Sequence, residues 1–316
     1  MLSKSCQKKI VQVIEKIKPK RIAVTMPEGM KMDLKEIAQL IEYNNCEVVL
    51  IVEPCFGACD LRDWEAQLLD CDLLLHLGHS DFGLKTMVPT EYIEVFSDYS
   101  PFQQVKNNLK KLEKYKKIAL CSTVQHILEL EKIKDFLEQN KKIVFVPKSK
   151  KAKYDGQVLG CDASGPETIN SNIDCVLFVG GGLFHAFQIL EKTTIPVLTI
   201  GPDKKEITDI TGKRELILKR KIIKQKKFEY SKTIGLLVSF KRGQLKKNIF
   251  EIKKKLEGQG KEVYILAMDY ISKEKILGID AEVLVNTACP RIEEDNIFDV
   301  PVINLEDIIF QQQKQK

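Results

Sequence analysis

The chain has 316 residues, enough for two or three small domains, and 44% hydrophobic with 30% charged residues is the balance of a globular protein. A net charge of +6, from 50 basic and 44 acidic residues, is too mild to mark a nucleic-acid binder, and no basic stretch is interleaved with aromatics. No apolar run approaches the roughly 20 residues that span a bilayer, and nine cysteines, an odd number, argue against a disulfide framework.

In chain order, MLSKSCQKKIVQVIEKI (1–17) carries apolar residues at helical spacing. That predicts an amphipathic helix rather than a signal peptide, and a cytoplasmic protein. RIAVTM (21–26) predicts a strand, and LKEIAQLIEY (34–43) a helix with Leu34, Ile37, Ala38 and Ile41 on one face. EVVLIV (47–52), DLLLHL (72–77) and EYIEVF (91–96) predict three more strands. Strands this apolar, separated by helices, argue for a parallel sheet covered on both faces.

The pattern then recurs. KKIALC (116–121), a helix over 127–140, KKIVFVP (141–147), DCVLFVGGG (174–182) and IPVLTIG (195–201) form a second set. KTIGLLVSF (232–240), a helix over 245–260, KEVYILAMD (261–269), AEVLVNTAC (281–289) and VPVINL (300–305) form a third. An acidic turn precedes each third strand: LLDCD, NIDC and GIDAE. Three similar α/β domains follow, with bounds 1–112, 113–204 and 205–316, the last opening on a linking helix over 205–227. A pseudo-threefold axis would bring their strand ends together. The lysine-rich stretches 106–117 and 213–227 read as solvated helix faces or as a docking surface for a macromolecular partner. The tail QQQKQK is expected to fray.

Cys46, Cys71, Cys121 and Cys175 border apolar runs and read as small buried hydrophobes. Cys59, Cys161 and Cys289 differ. Each follows the carboxyl end of a predicted strand, one per repeat, where open α/β sheets place their sites. Their neighbours in FGACD, LGCDASG and TACPR are small, so backbone N–H groups can approach a sulfide or thiolate. Three thiolates suit an iron–sulfur cluster with one iron left open, whereas four would close it. A zinc site is the rival, although zinc sites usually pair their cysteines at short spacing and only Cys55 and Cys59 are paired here. Buried structural thiols are the third reading.

MPEGM (26–30), CFGACD (55–60), HLGHSDF (76–82), GQVLGCD (156–162), FVGGGLFHA (178–186), KRGQ (241–244) and NTACPRIEED (286–295) occur in an order that resembles the diphthamide synthase family, in its single-subunit archaeal form. These are 2-(3-amino-3-carboxypropyl)histidine synthases. The resemblance runs from about residue 20 to residue 306. It implies three α/β domains, a homodimer, and a [4Fe–4S] cluster held by Cys59, Cys161 and Cys289, with Cys55 a bystander. It implies that S-adenosylmethionine binds the open iron and that the bond to the aminocarboxypropyl carbon is cleaved. The resulting radical then adds to C2 of a histidine of translation elongation factor 2. An electron donor is required; a membrane and nucleic acid are not. No CxxxCxxC of conventional radical enzymes is present.

The cofactor pocket is then expected to draw on Pro27, Glu28, Gly29, Gln125, Gly181, Gly182, His185, Lys241, Gln244 and Arg291. Each has a plainer reading. The Pro27–Gly29 segment can be a strand-ending turn, and Gly180–Gly182 a tight turn rather than a backbone cradle for a carboxylate. Gln125 can cap a helix, His185 can be structural, and Lys241, Arg242 and Arg291 can be surface cations, the last anchored by Asp295. His76 and His79 flank Gly78 and offer imidazoles to a mixed site with Cys59, which the family pattern does not use. Two other functions stay in view. One is an iron–sulfur Lewis-acid dehydratase or condensing enzyme of the quinolinate synthase type. The other is a non-catalytic, metal-stabilised binding protein.

Overall fold

Leucine and β-branched side chains fill both faces of a strand, so each apolar run pairs where helices can cover it on both sides. The computed structural model describes residues 2–310, and the QQQKQK tail lies outside them. Strands β1 (Arg21–Thr25), β2 (Glu47–Leu50), β3 (Leu73–Leu77) and β4 (Thr90–Ile93) form a parallel sheet in the order β2-β1-β3-β4. In the second sheet β5 (Lys117–Ser122), β6 (Ile143–Phe145), β7 (Cys175–Val179), β8 (Val197–Ile200) and β9 (Thr208–Asp209) run β6-β5-β7-β8-β9, with β9 antiparallel. The third has β10 (Thr233–Ser239), β11 (Glu262–Met268), β12 (Val283–Asn286) and β13 (Val302–Asn304) in the order β11-β10-β12-β13. The same 2-1-3-4 order therefore occurs three times. Residue contacts divide the chain into two compact units: Met1–Thr211, with the first two sheets, and Gly212–Lys316, with the third.

Alternation along the strands feeds two cores in the first and third sheets. In the first, Ile22, Val24, Leu73 and Leu75 pack on Ile10 and Ile14 of the helix Lys4–Ile17 and on Ile37 and Ile41 of the helix Leu34–Tyr43. Ala23 and Leu74 pack oppositely with Leu61 and Ala66. In the third, Leu236 and Val285 serve one core and Leu237 and Leu284 the other.

The acidic turns have a shared structural reason. The residue just before each third strand accepts two backbone N–H groups at the start of the first strand. Asp72 accepts from Lys20 and Arg21 at 2.7 and 2.9 Å. Asp174 accepts from Lys116 and Lys117, both at 2.7 Å. Glu282 accepts from Lys232 and Thr233. These backbone hydrogen bonds hold all three carboxyls below their ordinary pKa. The residue before each second strand is likewise reused. Lys142 and Lys261 each donate to three carbonyls that precede the first strand, and the Cys46 thiol donates to the carbonyl of Pro19. A repeated hydrogen-bonding frame with divergent side chains is what triplication of one unit leaves behind.

Two expectations shift. The linking helix starts at Lys213, because Thr208–Asp209 instead adds the antiparallel edge strand β9. The stretch 106–117 is mostly a short helix, Phe102–Asn107, and a 3₁₀ turn, Leu109–Leu112, rather than one long helix. Several strands also end earlier than their apolar runs, β2 at Leu50 and β12 at Asn286, where the chain leaves the sheet toward Cys59 and Cys289.

Candidate metal centre

Cys59 lies in the loop after β2, on a turn closed by Asp60 N–H donating to the Gly57 carbonyl at 2.9 Å. Gly57 sits against the thiol: a Cβ there would be 3.5 Å from Cys59 Sγ. The loop is braced beneath by the buried ion pair of Arg62 with Asp60 at 3.3 Å, and Arg62 also donates to the Pro54 carbonyl. Cys59 is half-buried, whereas Cys55, the other thiol of the pair, is fully buried. All four thiols read as space-filling, Cys46, Cys71, Cys121 and Cys175, are buried as well.

Cys161 follows β6 through a longer loop. Residues 156–158 run beside the end of β5, with Ser122 N–H donating to the Gly156 carbonyl and Val158 N–H to the Ser122 carbonyl. Leu159 and Asp162 then exchange backbone hydrogen bonds of 3.0 and 3.1 Å, so Gly160 and Cys161 form the tip of a two-residue turn. The Asp162 carboxylate accepts from the N–H groups of Lys151 and Ser164 and fixes the base. A Cβ on Gly160 would lie 1.9 Å from Cε1 of Phe184, so any side chain there would force that ring to move. Phe184 belongs to the GGGLFH turn after β7, so that motif is packed onto the Cys161 turn. Cys161 is exposed at this tip, but desolvation by the surrounding walls pushes its thiol up to about 11; Lys151 opposes this, and the charges of Cys59 and Asp162 add to it. Cys59 and Cys161, from different sheets, thus come close enough to feel each other's charge. Together they offer two thiols with small residues around them, the donor chemistry an iron–sulfur cluster takes.

Cys289, in the second unit, is half-buried after β12. Asn286 closes its loop: Nδ2 donates to the Cys289 carbonyl at 2.8 Å and to Oδ1 of Asn304 at 2.7 Å, and Oδ1 accepts from Ala288 N–H at 3.0 Å. Thr287 donates through both N–H and Oγ1 to the Leu237 carbonyl at the end of β10. Arg291 is exposed and pairs with Asp295 at 3.2 Å, as its spacing predicts. Lys241 is buried after β10, and its carbonyl accepts from the N–H groups of Gln244 and Leu245.

The remaining pocket candidates sit on the first unit. Pro27 packs against Gly78, whose φ of +83° and 2.8 Å clearance to Pro27 Cγ exclude a side chain. Glu28 is exposed and pairs with Lys31 at 2.7 Å, and Gly29 faces open space. Gly182, at φ +66°, also has nothing within 4 Å of a would-be Cβ, and neighbouring Gly181 is exposed, so backbone at this turn is open to a ligand. His185 stacks on Phe178 and meets Phe184 edge-on. Gln125 lies in a 3₁₀ turn after β5, with its carbonyl accepting from Ser97 N–H. His76 and His79 do face one another, at 3.0 Å between Nε2 and Nδ1, but the thiol beside them is that of Cys55, 4.0 Å from His76 Nε2. Asn286, Phe184 and Gly160 fall inside the motifs NTACPRIEED, FVGGGLFHA and GQVLGCD, but nothing in those strings shows the amide clamp or the contact between the last two.

The model of the diphthamide synthesis protein family matches residues 26–313. The 2-(3-amino-3-carboxypropyl)histidine synthase of Pyrococcus horikoshii is 34% identical over 299 residues, covering 94% of this chain and 86% of that one. Subunit 1 of the synthase of that name from Kluyveromyces lactis is 28% identical over 302 residues, covering 91% of this chain and 69% of that one. The crystal structure of Dph2 from Pyrococcus horikoshii with a 4Fe-4S cluster matches with a TM-score of 0.89 at 33% identity, covering 97% of this chain and 90% of that chain.

Proposed function

Because the chain belongs to the diphthamide synthesis protein family, we propose that it is a transferase. In this reading it moves the 3-amino-3-carboxypropyl group from S-adenosylmethionine to C2 of a histidine of translation elongation factor 2. The observation that carries the reading is the approach of Cys59 and Cys161 from two sheets, in a chain whose solved relative holds a 4Fe-4S cluster.

Cys59, Cys161 and Cys289 are the proposed thiolate ligands. A [4Fe–4S] cluster bound through three cysteines supplies one electron and one open iron position for S-adenosylmethionine. The turn at Gly181 and Gly182 offers backbone N–H groups to the methionine carboxylate, and Lys241, Gln244 and Arg291 offer further donors. Pro27, Glu28, Gly29, Gln125 and His185 shape the pocket. Their task is to position the sulfonium and exclude water while a 3-amino-3-carboxypropyl radical forms and methylthioadenosine is left. An external electron donor, a homodimer and a cytoplasmic setting complete the proposal. Among the described residues no helix is long and apolar enough to cross a membrane.

The test is the nucleoside product. Anaerobically reconstituted protein receives S-adenosylmethionine and dithionite, and the products are identified by mass spectrometry. Methylthioadenosine that disappears in Cys59→Ala, Cys161→Ala and Cys289→Ala is the expected result. Deoxyadenosine instead would mean conventional radical chemistry. An intact cluster with no cleavage would favour the Lewis-acid enzyme.

A further inference from the structure

We propose that Cys55, His76 and His79 form a second metal site, separate from the thiolates of Cys59, Cys161 and Cys289, which takes a single borderline dication with zinc as the best match. The three side chains each bring one donor atom, and those atoms lie within 4.8 Å of one another. Zinc bonds of about 2.0 Å to nitrogen and about 2.3 Å to sulfur, at tetrahedral angles, set nitrogen–nitrogen and nitrogen–sulfur separations of about 3.3 and about 3.6 Å. The observed separations are 3.0 Å between the imidazoles and 4.0 Å from His76 Nε2 to Cys55 Sγ. The third pair, Cys55 Sγ and His79 Nδ1, is within 4.8 Å, so closing the site needs movements of up to about 1 Å there and a few tenths of an ångström at the other two pairs.

The donor set is borderline-soft, two imidazoles and one thiol, which suits zinc and disfavours magnesium or calcium. Burial keeps both imidazoles neutral, with pKa values pushed down to about 3 and about 4, so neither must shed a proton to bind. Binding releases the Cys55 thiol proton. Each imidazole keeps its proton on the other nitrogen, Nδ1 of His76 and Nε2 of His79. Nδ1 of His76 is buried without a hydrogen-bond partner among the described residues, as are Oγ1 of Thr25 and Oη of Tyr92, which stand in register with it on β1 and β4. The ion would be held through Nε2 of His76, so these atoms are not its donors, and the site is defined by the three donors that converge.

The backbone is built to converge on this point. Gly78 takes φ +83°, so the chain reverses between His76 and His79 and brings their rings together. Cys55 opens the loop that ends in Cys59. An ion here pins the start of that loop to the end of β3 and sets the position of Cys59 from one side.

The proposal stands apart from the transferase reading, and its test does too. The full chain carrying Cys59→Ala, Cys161→Ala and Cys289→Ala together is titrated with Co²⁺ as the probe. The expected result is a single Co²⁺ bound per chain, with a thiolate-to-cobalt charge-transfer band and tetrahedral visible bands. Adding Cys55→Ala removes the charge-transfer band, and adding His79→Gln weakens binding by at least about tenfold. Circular dichroism of each metal-free variant checks that it folds, and Cys55→Ala alone is decisive if His79→Gln does not fold. A triple variant that binds no Co²⁺, or binding that neither added substitution alters, overturns the proposal.

Discussion

Nε2 of Gln157 donates a 2.8 Å hydrogen bond to Oγ of Ser80, across 77 positions of sequence, with both residues buried. Ser80 directly follows the His76–His79 turn of the first sheet, and Gln157 lies four residues before Cys161 on the second. The bond therefore joins the two loop systems that carry Cys55, Cys59 and Cys161. Gln157 is fixed at its other end as well, by Tyr154 N–H donating to Oε1 at 3.2 Å.

Removing either partner strands the other in the interior. Gln157→Ala and Ser80→Ala should each cost about 1–3 kcal/mol. Both should also lower iron incorporation on reconstitution, because the Cys161 loop loses its tie to the first sheet. Denaturant unfolding and iron analysis check this, and a double variant no worse than either single one would show that the two residues act as a pair.

Gly160→Ala places a methyl group 1.9 Å from the Phe184 ring, so one of the two loops must move. Overpacking of this kind costs about 1–3 kcal/mol. The expected outcome is lower thermal stability and poorer iron loading, partly restored by Phe184→Leu in the same chain. Iron loading equal to the parent protein would show that the GGGLFH turn does not position Cys161.

Asn286 satisfies both ends of the Cys289 loop through one amide. Asn286→Ala should destabilise the second unit by about 1–3 kcal/mol. Asn286→Asp should be at least as damaging, since it keeps the acceptor for Ala288 N–H but turns a carboxylate toward the Cys289 carbonyl and Asn304 Oδ1. Chemical denaturation of the two variants separates loss of a donor from loss of shape.

Glu94 gives the fold a pH dependence. Burial opposes its ionisation, but hydrogen-bonded ion pairs with Lys153 and Lys9 outweigh that and hold the carboxyl down to about 2. Tyr154 adds a 3.0 Å hydrogen bond. A carboxyl with a lowered folded pKa stabilises fully above its unfolded value and loses that contribution as pH falls through the folded one. Stability should thus decline as pH drops from about 4.5 toward about 2, and Glu94→Gln should flatten this decline. At neutral pH the variant should be about 1–3 kcal/mol less stable, because a buried acceptor is lost while Lys9 and Lys153, about 40% exposed, can turn to solvent. Urea midpoints against pH for both proteins decide the matter.

Much of this protein is legible in its sequence because the signals are local. An apolar run of four to seven residues specifies a doubly covered strand whatever lies elsewhere in the chain. Counting such runs is enough to anticipate the strands of three sheets. The acidic turns LLDCD, NIDC and GIDAE are visible as a recurrence, and so is the placement of Cys59, Cys161 and Cys289 beyond strand ends. What each recurrence does is not visible there. That Asp72, Asp174 and Glu282 tie off the first strands depends on β1, β5 and β10 lying beside the third strand of each sheet. Only the family resemblance tells Cys59 from Cys55 in the sequence, and packing is what sends the Cys55 thiol inward to His76 and leaves Cys59 within reach of the charge of Cys161. The same holds for Ser80 with Gln157 and for Gly160 with Phe184. Secondary structure follows from the periodicity of neighbouring side chains, whereas these pairings join residues that only the docking of sheets and loops brings together, and no short-range pattern encodes that meeting.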